Sequence, residues 1–185
     1  MPSILPLHRC VQQWSLCLTV WLLSICLSTS LFASNIERQI KVSFIYNFAK
    51  FVTWPVSITS NAAPFYICTQ GDNSLSTSIG LLQNRAIGSR KIEVLARVQA
   101  DKWRGCHILF IADGEREKIA DVLKIIANNS VLTISDMPDF IHLGGIIGLS
   151  TQEDRVHFAI NLNEAKKAKL TIDSQLLKLA VEVLQ

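Results

Sequence analysis

Two spacings of hydrophobic positions recur along the chain, and they predict alternating helices and strands. From residue 36 to 52 the apolar side chains recur every three or four positions, which indicates an amphipathic helix that Asn35 can cap. Pro55 disfavours helical geometry in the preceding residue, so this helix is expected to end near Trp54. Between residues 91 and 98 apolar and polar side chains alternate, which is typical of a half-buried strand.

Further strands and helices alternate through the middle of the chain. The patterns predict strands at 65–68, 91–98, 106–112 and 131–134, and helices at 74–83 and 115–128. The run 106–112 is almost wholly apolar, as expected of a central strand that is covered on both faces. Such an order of strands and helices predicts an α/β domain with a largely parallel sheet.

The pattern changes in the last third of the chain. Strands are predicted at 145–149 and 156–162, and the polar residues between them indicate an antiparallel hairpin with a longer loop. A short charged helix at 163–169 is followed by a final helix, capped by Asp173 or Ser174, that should bury apolar residues as far as Leu184. The expected architecture is a single three-layer α/β domain, with a mixed, mostly parallel sheet flanked by helices and a C-terminal hairpin.

The first 33 residues have the layout of a secretory signal peptide. Arg9 gives a weakly basic start, residues 11–27 form an uncharged apolar stretch, and small residues follow it. We expect cleavage after Ala33, which leaves residues 34–185 as the domain; cleavage after Ser30 is the rival. The alternative is an uncleaved membrane anchor, although the stretch is shorter than the roughly 20 residues that a span needs.

Composition and charge limit the classes of partner. The chain has 18 basic and 15 acidic side chains, and removal of the leader with Arg9 leaves 17 against 15. A nearly neutral domain without a concentrated basic face does not favour nucleic acid as a partner. The remaining length of about 150 residues suits one domain with a sizeable core.

The cysteines indicate an oxidising compartment. Three of the five lie in the predicted leader, so only Cys68 and Cys106 remain. An even pair is most simply a disulfide; it would close a loop of about 38 residues and contribute roughly 3–4 kcal/mol. Two buried free thiols are the alternative. A metal site is poorly supported, because His107 is the nearest imidazole and no second ligand pair has zinc-finger spacing.

No part of the sequence carries a recognisable catalytic constellation. The residues around Gly144 and Gly145 lack the lysine of a phosphate-binding loop and the dinucleotide-binding pattern. Nothing places Ser135 on the sharp strand-to-helix turn of a hydrolase nucleophile. We therefore predict neither enzymatic activity nor a cofactor.

One pair of side chains is a candidate contact site. Because Val156 and the alternate residues after it form the apolar face of their strand, Arg155 and His157 share the opposite face, about 7 Å apart. An arginine beside a histidine can hold a carboxylate or a phosphate, although a solvated strand face is the simpler interpretation. Lys50 and Trp54, on the side of the first helix away from its apolar stripe, could join such a site.

Six short segments, taken together, resemble the YfiR family. They cover nearly the whole of the domain in one order, and each is weak alone. In chain order they are YNFAKFVTWP at 46–55, CHILFI at 106–111, VLTISD at 131–136, GGII at 144–147, FAINL at 158–162 and SQLLKLA at 174–180.

The resemblance implies a periplasmic α/β regulator without catalytic activity. The type member of that family restrains an inner-membrane diguanylate cyclase through its periplasmic sensor region, and an OmpA-like outer-membrane lipoprotein sequesters the regulator. The output is the level of cyclic-di-GMP, and hence biofilm formation. Cys68 and Cys106 match the common cysteine pair of the family, whereas the second, C-terminal disulfide of the type member has no counterpart here.

The expected function is therefore repression of a membrane diguanylate cyclase by protein–protein contact in the periplasm. The alternative is a periplasmic sensor or binding protein for a small carboxylate or phosphate, held near Arg155 and His157. The sequence leaves open whether two copies of the chain associate as a homodimer.

Overall fold

The computed structural model describes residues 34–55 and 63–185. The predicted leader, residues 1–33, lies outside the described residues. The chain divides into two compact units, Met1–Ile36 and Glu37–Gln185, and the second unit contains the sheets and cores considered below. Among the described residues, no helix is both long and apolar enough to cross a membrane.

Helices and strands alternate through the second unit. A helix over residues 34–51, α1, leads into it, and short 3-10 segments lie at Ile79–Leu82, Ala100–Gly105 and Asp113–Lys118. The remaining elements are, in chain order, β1 (Val52–Thr53), β2 (Phe65–Gln70), α2 (Ser74–Ser78), β3 (Ala86–Ile87), β4 (Arg90–Leu95), β5 (Ile108–Ile111), α3 (Ile119–Ile126), β6 (Leu132–Ser135), β7 (Ile147–Gln152), β8 (Arg155–Asn161), α4 (Leu162–Lys167), β9 (Thr171–Ile172), α5 (Ser174–Leu179) and β10 (Glu182–Leu184).

The main sheet has the strand order β10-β8-β7-β6-β5-β2-β4-β3, and β1 pairs with β9 separately. Its central strands β4, β2, β5, β6 and β7 are parallel, whereas β7 pairs with β8 and β3 with β4 in antiparallel fashion. The order of the parallel strands reverses between β2 and β5, as in doubly wound α/β folds. The predicted mixed, mostly parallel α/β architecture is confirmed.

The two faces of the sheet are covered by different layers. Ile108 and Phe110 of β5 belong to the core beneath α1, whereas Leu109 and Ile111 belong to the core beneath α3. All four side chains are fully buried, as their uninterrupted apolar run predicts. Aromatic contacts fix α1 on its side, because the ring of Phe48 meets that of Phe158 on β8 at 5.1 Å.

The first helix is shorter at its C-terminal end than its pattern suggests. It ends at residue 51, and Val52 and Thr53 then pair with Ile172 and Thr171 of β9. The β-branched side chains of Val52 and Thr53 suit this pairing. Pro55 therefore follows a short strand, and not the helix itself.

The hairpin β7–β8 is antiparallel as predicted, but its loop has two residues. Gln152 pairs with Arg155, and Glu153 and Asp154 between them have φ values of 49° and 58°. Two consecutive left-handed residues form the tight turn that matches the twist of a hairpin. The expectation of a longer loop was wrong because Ser150–Gln152, although polar, belong to the strand.

The C-terminal helix was predicted too long. Asp173 caps α5 by accepting a hydrogen bond of 2.7 Å from the backbone amide of Gln175, and the helix ends at Leu179. Glu182–Leu184 then form β10, which adds to β8 in parallel. The prediction that Val183 and Leu184 complete the helix was wrong, because they pair with Ile160 and Asn161 of β8.

Candidate functional site

A disulfide joins Cys68 of β2 to Cys106, which precedes β5. Their Cα atoms are 5.9 Å apart, and both side chains are buried in the core on the α3 side of the sheet. The bond links two neighbouring parallel strands and forms the pair that the sequence predicts. It strengthens the scaffold at the point where the strand order reverses.

Trp54 lies in the core and does not line a groove. Its indole Nε1 donates a hydrogen bond of 3.3 Å to the carbonyl of His107, and its ring meets that of Phe65 edge-on at 5.2 Å. Only 6% of the residue is exposed. Burial against Phe65 of β2 leaves Trp54 little surface for contact with a ligand or partner.

Lys50 is exposed at the C-terminal end of α1. Its ammonium lies 4.1 Å from the centre of the Tyr46 ring, and the guanidinium of Arg85 lies 4.4 Å from the same ring. The Tyr46 hydroxyl donates to the carbonyl of Ala86 in β3 at 2.8 Å. Lys50 therefore belongs to a cation–aromatic cluster at the β3 side of the molecule.

Arg155 and His157 occupy the same face of β8, as strand alternation requires. Arg155 is exposed beside the turn, whereas His157 is half-buried and pairs with Ser150 of β7. Strand β8 lies near one end of the main sheet, whereas β3, beside Tyr46 and Lys50, lies at the other end, and Trp54 is buried. The structure therefore does not gather the four candidate residues into one pocket.

A cavity of about 460 Å³ opens beside the end of β6, where the sequence pattern predicted no site. Residues of α1, of the segment after β6, of the β7–β8 hairpin and of the start of β10 form its walls. They are Glu37, Lys41, Asp136, Met137, Pro138, Asp139, Phe140, Ile141, His142, Gly148, Leu149, Ser150, Thr151, Gln152, Ala159, Val181 and Glu182.

An ion pair within α1 and a hydrogen bond between α1 and β7 lie on one side of this cavity. Lys41, only 9% exposed, places its Nζ 2.8 Å from Glu37 Oε1, and the Thr151 hydroxyl donates to the same oxygen at 2.7 Å. The hydrogen bonds from Lys41 and Thr151 hold the pKa of Glu37 below its usual value. The ionised form of Glu37 is thus the one that this arrangement stabilises.

Asp136 forms the opposite side, directly after β6. Asn73 Nδ2 donates to Asp136 Oδ1 at 3.4 Å and to Asp113 Oδ1 at 3.1 Å. Burial raises the pKa of Asp136, and the negative charge of Asp113 raises it further, against the opposing effect of Lys41. Among the described residues, Asp136 has no ion-pair partner within 4.0 Å.

These polar residues share a position in the fold. Asn73, Asp113 and Asp136 follow β2, β5 and β6, so the carboxyl ends of three parallel strands bring them to one edge. Ligands of open α/β sheets bind outside this edge. The sequence did contain a signal for this site, because these polar residues follow apolar strands. Among the described residues, no group of three His, Cys, Asp or Glu side chains could hold a metal ion.

Comparisons with known proteins place the chain in a family. The sequence-family model of the YfiR/HmsC-like proteins matches residues 38–181. No curated protein matches the sequence significantly. A crystal structure of a conserved domain protein from Vibrio cholerae O1 biovar El Tor strain N16961 has a TM-score of 0.49 at 10% identity, over 64% of this chain and 54% of that one. The chain thus spans about half the length of that protein.

Proposed function

Because this chain belongs to the YfiR/HmsC-like family, we propose that it represses a membrane-bound diguanylate cyclase by direct contact in the periplasm and so lowers cyclic-di-GMP. The observation that carries this proposal is the family match over residues 38–181, which covers nearly all of the compact unit Glu37–Gln185. The family is one of regulators and not of enzymes, which favours a function by binding.

Two features support a periplasmic location. Residues 1–33 have the layout of a signal peptide, so the domain 34–185 would be exported. The disulfide between Cys68 and Cys106 suits an oxidising compartment, since such bonds are rare in the cytosol.

Binding alone is sufficient for repression. A protein that binds the inactive state of a sensor region more tightly than the active state shifts the equilibrium by the difference in the two binding free energies. A preference of about a hundredfold corresponds to about 2.7 kcal/mol and would hold most of the cyclase inactive. An OmpA-like outer-membrane lipoprotein that binds the same regulator would compete with the cyclase and relieve repression.

Copurification from membranes tests the contact. The exported chain with a C-terminal tag is isolated from detergent-solubilised membranes, and the cyclase is quantified in the eluate by mass spectrometry. We expect the cyclase to be retained and to be released when the periplasmic domain of the lipoprotein is added. Absence of the cyclase from eluates that contain folded, disulfide-bonded chain would contradict the proposal.

A further inference from the structure

The cavity beside β6 contains an open strand edge. β6 pairs with β7 only as far as Ser135 and Gly148, whereas β7 continues to Gln152. The carbonyl of Ile146, directly before β7, accepts a hydrogen bond from the backbone amide of Asn161 in β8. Because hydrogen-bonded pairs alternate along an antiparallel pair of strands, the even-numbered residues of β7 direct their backbone groups towards β8. Thr151 therefore directs its amide and carbonyl to the side where β6 has ended, and no strand of the described residues pairs with it there.

The charges around this edge have a negative surplus. Lys41 is paired with Glu37, and His142 lies 3.3 Å from a carboxylate oxygen of Glu182. Asp136 and Asp139 also line the cavity, and neither forms an ion pair with another described residue. A cation that enters the cavity would therefore find two carboxylates that have no ion-pair partner among the described residues.

Apolar side chains complete the surface. Phe140, Ile141 and Leu149 lie buried beneath the cavity, and the accessible apolar surface includes half-buried Ala159 and Val181, which is 59% exposed and directly precedes β10. Such a surface suits the methylene stem of a long basic side chain, whose charged end would reach the carboxylates. The cavity thus offers backbone groups, apolar contact and negative charge to one ligand.

We propose that this cavity receives an extended segment of a partner protein, which adds beside β7 as a strand and places a lysine or arginine against Asp136. Strand addition uses backbone hydrogen bonds for affinity and neighbouring pockets for specificity. A free organic cation would satisfy Asp136 but leave the backbone groups of Thr151 unused, so the open edge favours a peptide. This inference rests on the proposed function, because the occupant is taken to be a segment of the regulated partner.

Synthetic peptides test the charge preference. The probe is a seven-residue peptide of alternating valine and threonine with a central lysine, titrated into the exported chain by calorimetry. We expect the lysine peptide to bind and a peptide with a central glutamate to bind at least tenfold more weakly, since a charge-assisted hydrogen bond is replaced by repulsion. Absence of binding by the lysine peptide, or equal binding of both peptides, would overturn the proposal.

A conservative variant locates the contact. Asp136→Asn keeps the shape of the side chain and its hydrogen bond from Asn73, and we expect it to weaken binding of the lysine peptide about tenfold. The matched control is Asp121→Asn, which removes a carboxylate from the exposed face of α3 and should leave binding unchanged. Equal affinity of wild type and Asp136→Asn would overturn the assignment of Asp136.

Changes in the ligand test strand addition without altering the protein. A lysine peptide with N-methylated amides on the edge that faces β7 cannot make the strand hydrogen bonds, and we expect its binding to be lost. Unchanged binding of the methylated peptide would refute strand addition. Binding of n-butylammonium as tight as that of the lysine peptide would show that a free organic cation is the occupant, and would also overturn the proposal.

Copurification distinguishes this inference from the proposed function. If wild type and Asp136→Asn retain the cyclase equally, repression by contact stands and the cavity is not the contact site. If neither retains the cyclase while the lysine peptide binds wild type but not the variant, the proposed cyclase contact fails and the preference of the cavity for basic extended segments stands. Loss of retention in Asp136→Asn alone supports both.

Discussion

Asp136 combines a charge, a half-buried position and a long hydrogen bond from Asn73. Because burial raises its pKa above 3.8 in the folded protein, the folded state binds the proton more tightly than the unfolded state. The carboxylate therefore lowers stability at pH values above the raised pKa, and this penalty disappears as the pH falls towards 3.8. A residue that costs stability in the free protein is often one that serves binding.

We accordingly predict that Asp136→Asn increases the free energy of unfolding at pH 7. The increase should be smaller at pH 4 than at pH 7, because the penalty for the buried carboxylate fades as the pH falls towards 3.8. Urea unfolding at the two pH values measures both quantities, with Asp121→Asn as the control for loss of an exposed carboxylate. A variant that is less stable than wild type at pH 7 would show that the charge of Asp136 is well compensated.

Glu37 has the opposite linkage to pH. The hydrogen bonds from Lys41 and Thr151 lower its pKa below 4.5, so its stabilising contribution is present above that value and is lost as the pH falls through the lowered pKa. The two carboxylates of the cavity thus respond to acid in opposite directions. The Asp136 measurement separates them because only one side chain is changed.

The disulfide gives a second prediction at the scale of single residues. Replacement of both Cys68 and Cys106 by alanine should lower the free energy of unfolding by about 3–4 kcal/mol, since the unfolded chain regains the freedom of a loop of 38 residues. Urea unfolding of wild type in reductant should show a similar loss, and the double variant should not respond to reductant. Equal stability of oxidised and reduced wild type would contradict this account.

At the scale of elements, tight packing limits which residues the segment between β6 and β7 can contain. A Cβ atom on Gly145 would overlap the ring of Phe140, which is 1% exposed and lines the cavity. Gly145 is buried as well, so neither the backbone nor the ring has room to move. The cavity wall therefore depends on a glycine at this position.

We predict that Gly145→Ala lowers the free energy of unfolding by about 1–3 kcal/mol through overpacking. Gly105→Ala is the matched control, because a Cβ there has no atom within 4 Å, and its effect should stay within about 0.5 kcal/mol. Chemical denaturation of the two variants compares them directly. Similar stabilities would mean that the ring of Phe140 can shift at little cost.

Local patterns predicted the elements that bury one face or both faces continuously. The uninterrupted apolar run of β5 and the spacing of three and four in α1 each permit one interpretation. Local patterns failed where pairing with a strand distant in the sequence decides the structure. The local pattern around Val183 fits a helix and a strand equally well, and only its pairing with Ile160 of β8 makes it a strand residue.

The candidate site was less predictable than the fold, for the same reason. Trp54 carries no local sign of burial, because its position depends on the pairing of β1 with β9 and on the carbonyl of His107. The cavity exists because β7 extends beyond β6, which is a property of register. The acidic residues Asp113 and Asp136 do follow apolar strands in the sequence, so a search of strand ends could have identified that edge.

At the scale of the whole molecule, the predicted leader determines where the exported chain should begin. We predict that the protein recovered from the periplasm begins at Ser34, because cleavage after Ala33 removes the apolar stretch. N-terminal sequencing of that fraction measures the start directly. Recovery of an intact chain from the inner-membrane fraction would indicate an uncleaved anchor.

The level of cyclic-di-GMP after deletion of the gene tests repression of the cyclase most directly. We predict a rise on deletion, a return to the wild-type level with an exported copy, and no return with a copy that lacks residues 1–33. The leaderless copy is the control, because the proposed contact requires the periplasm. An unchanged level in a strain that normally expresses the protein, or full restoration by the leaderless copy, would contradict repression by contact in the periplasm.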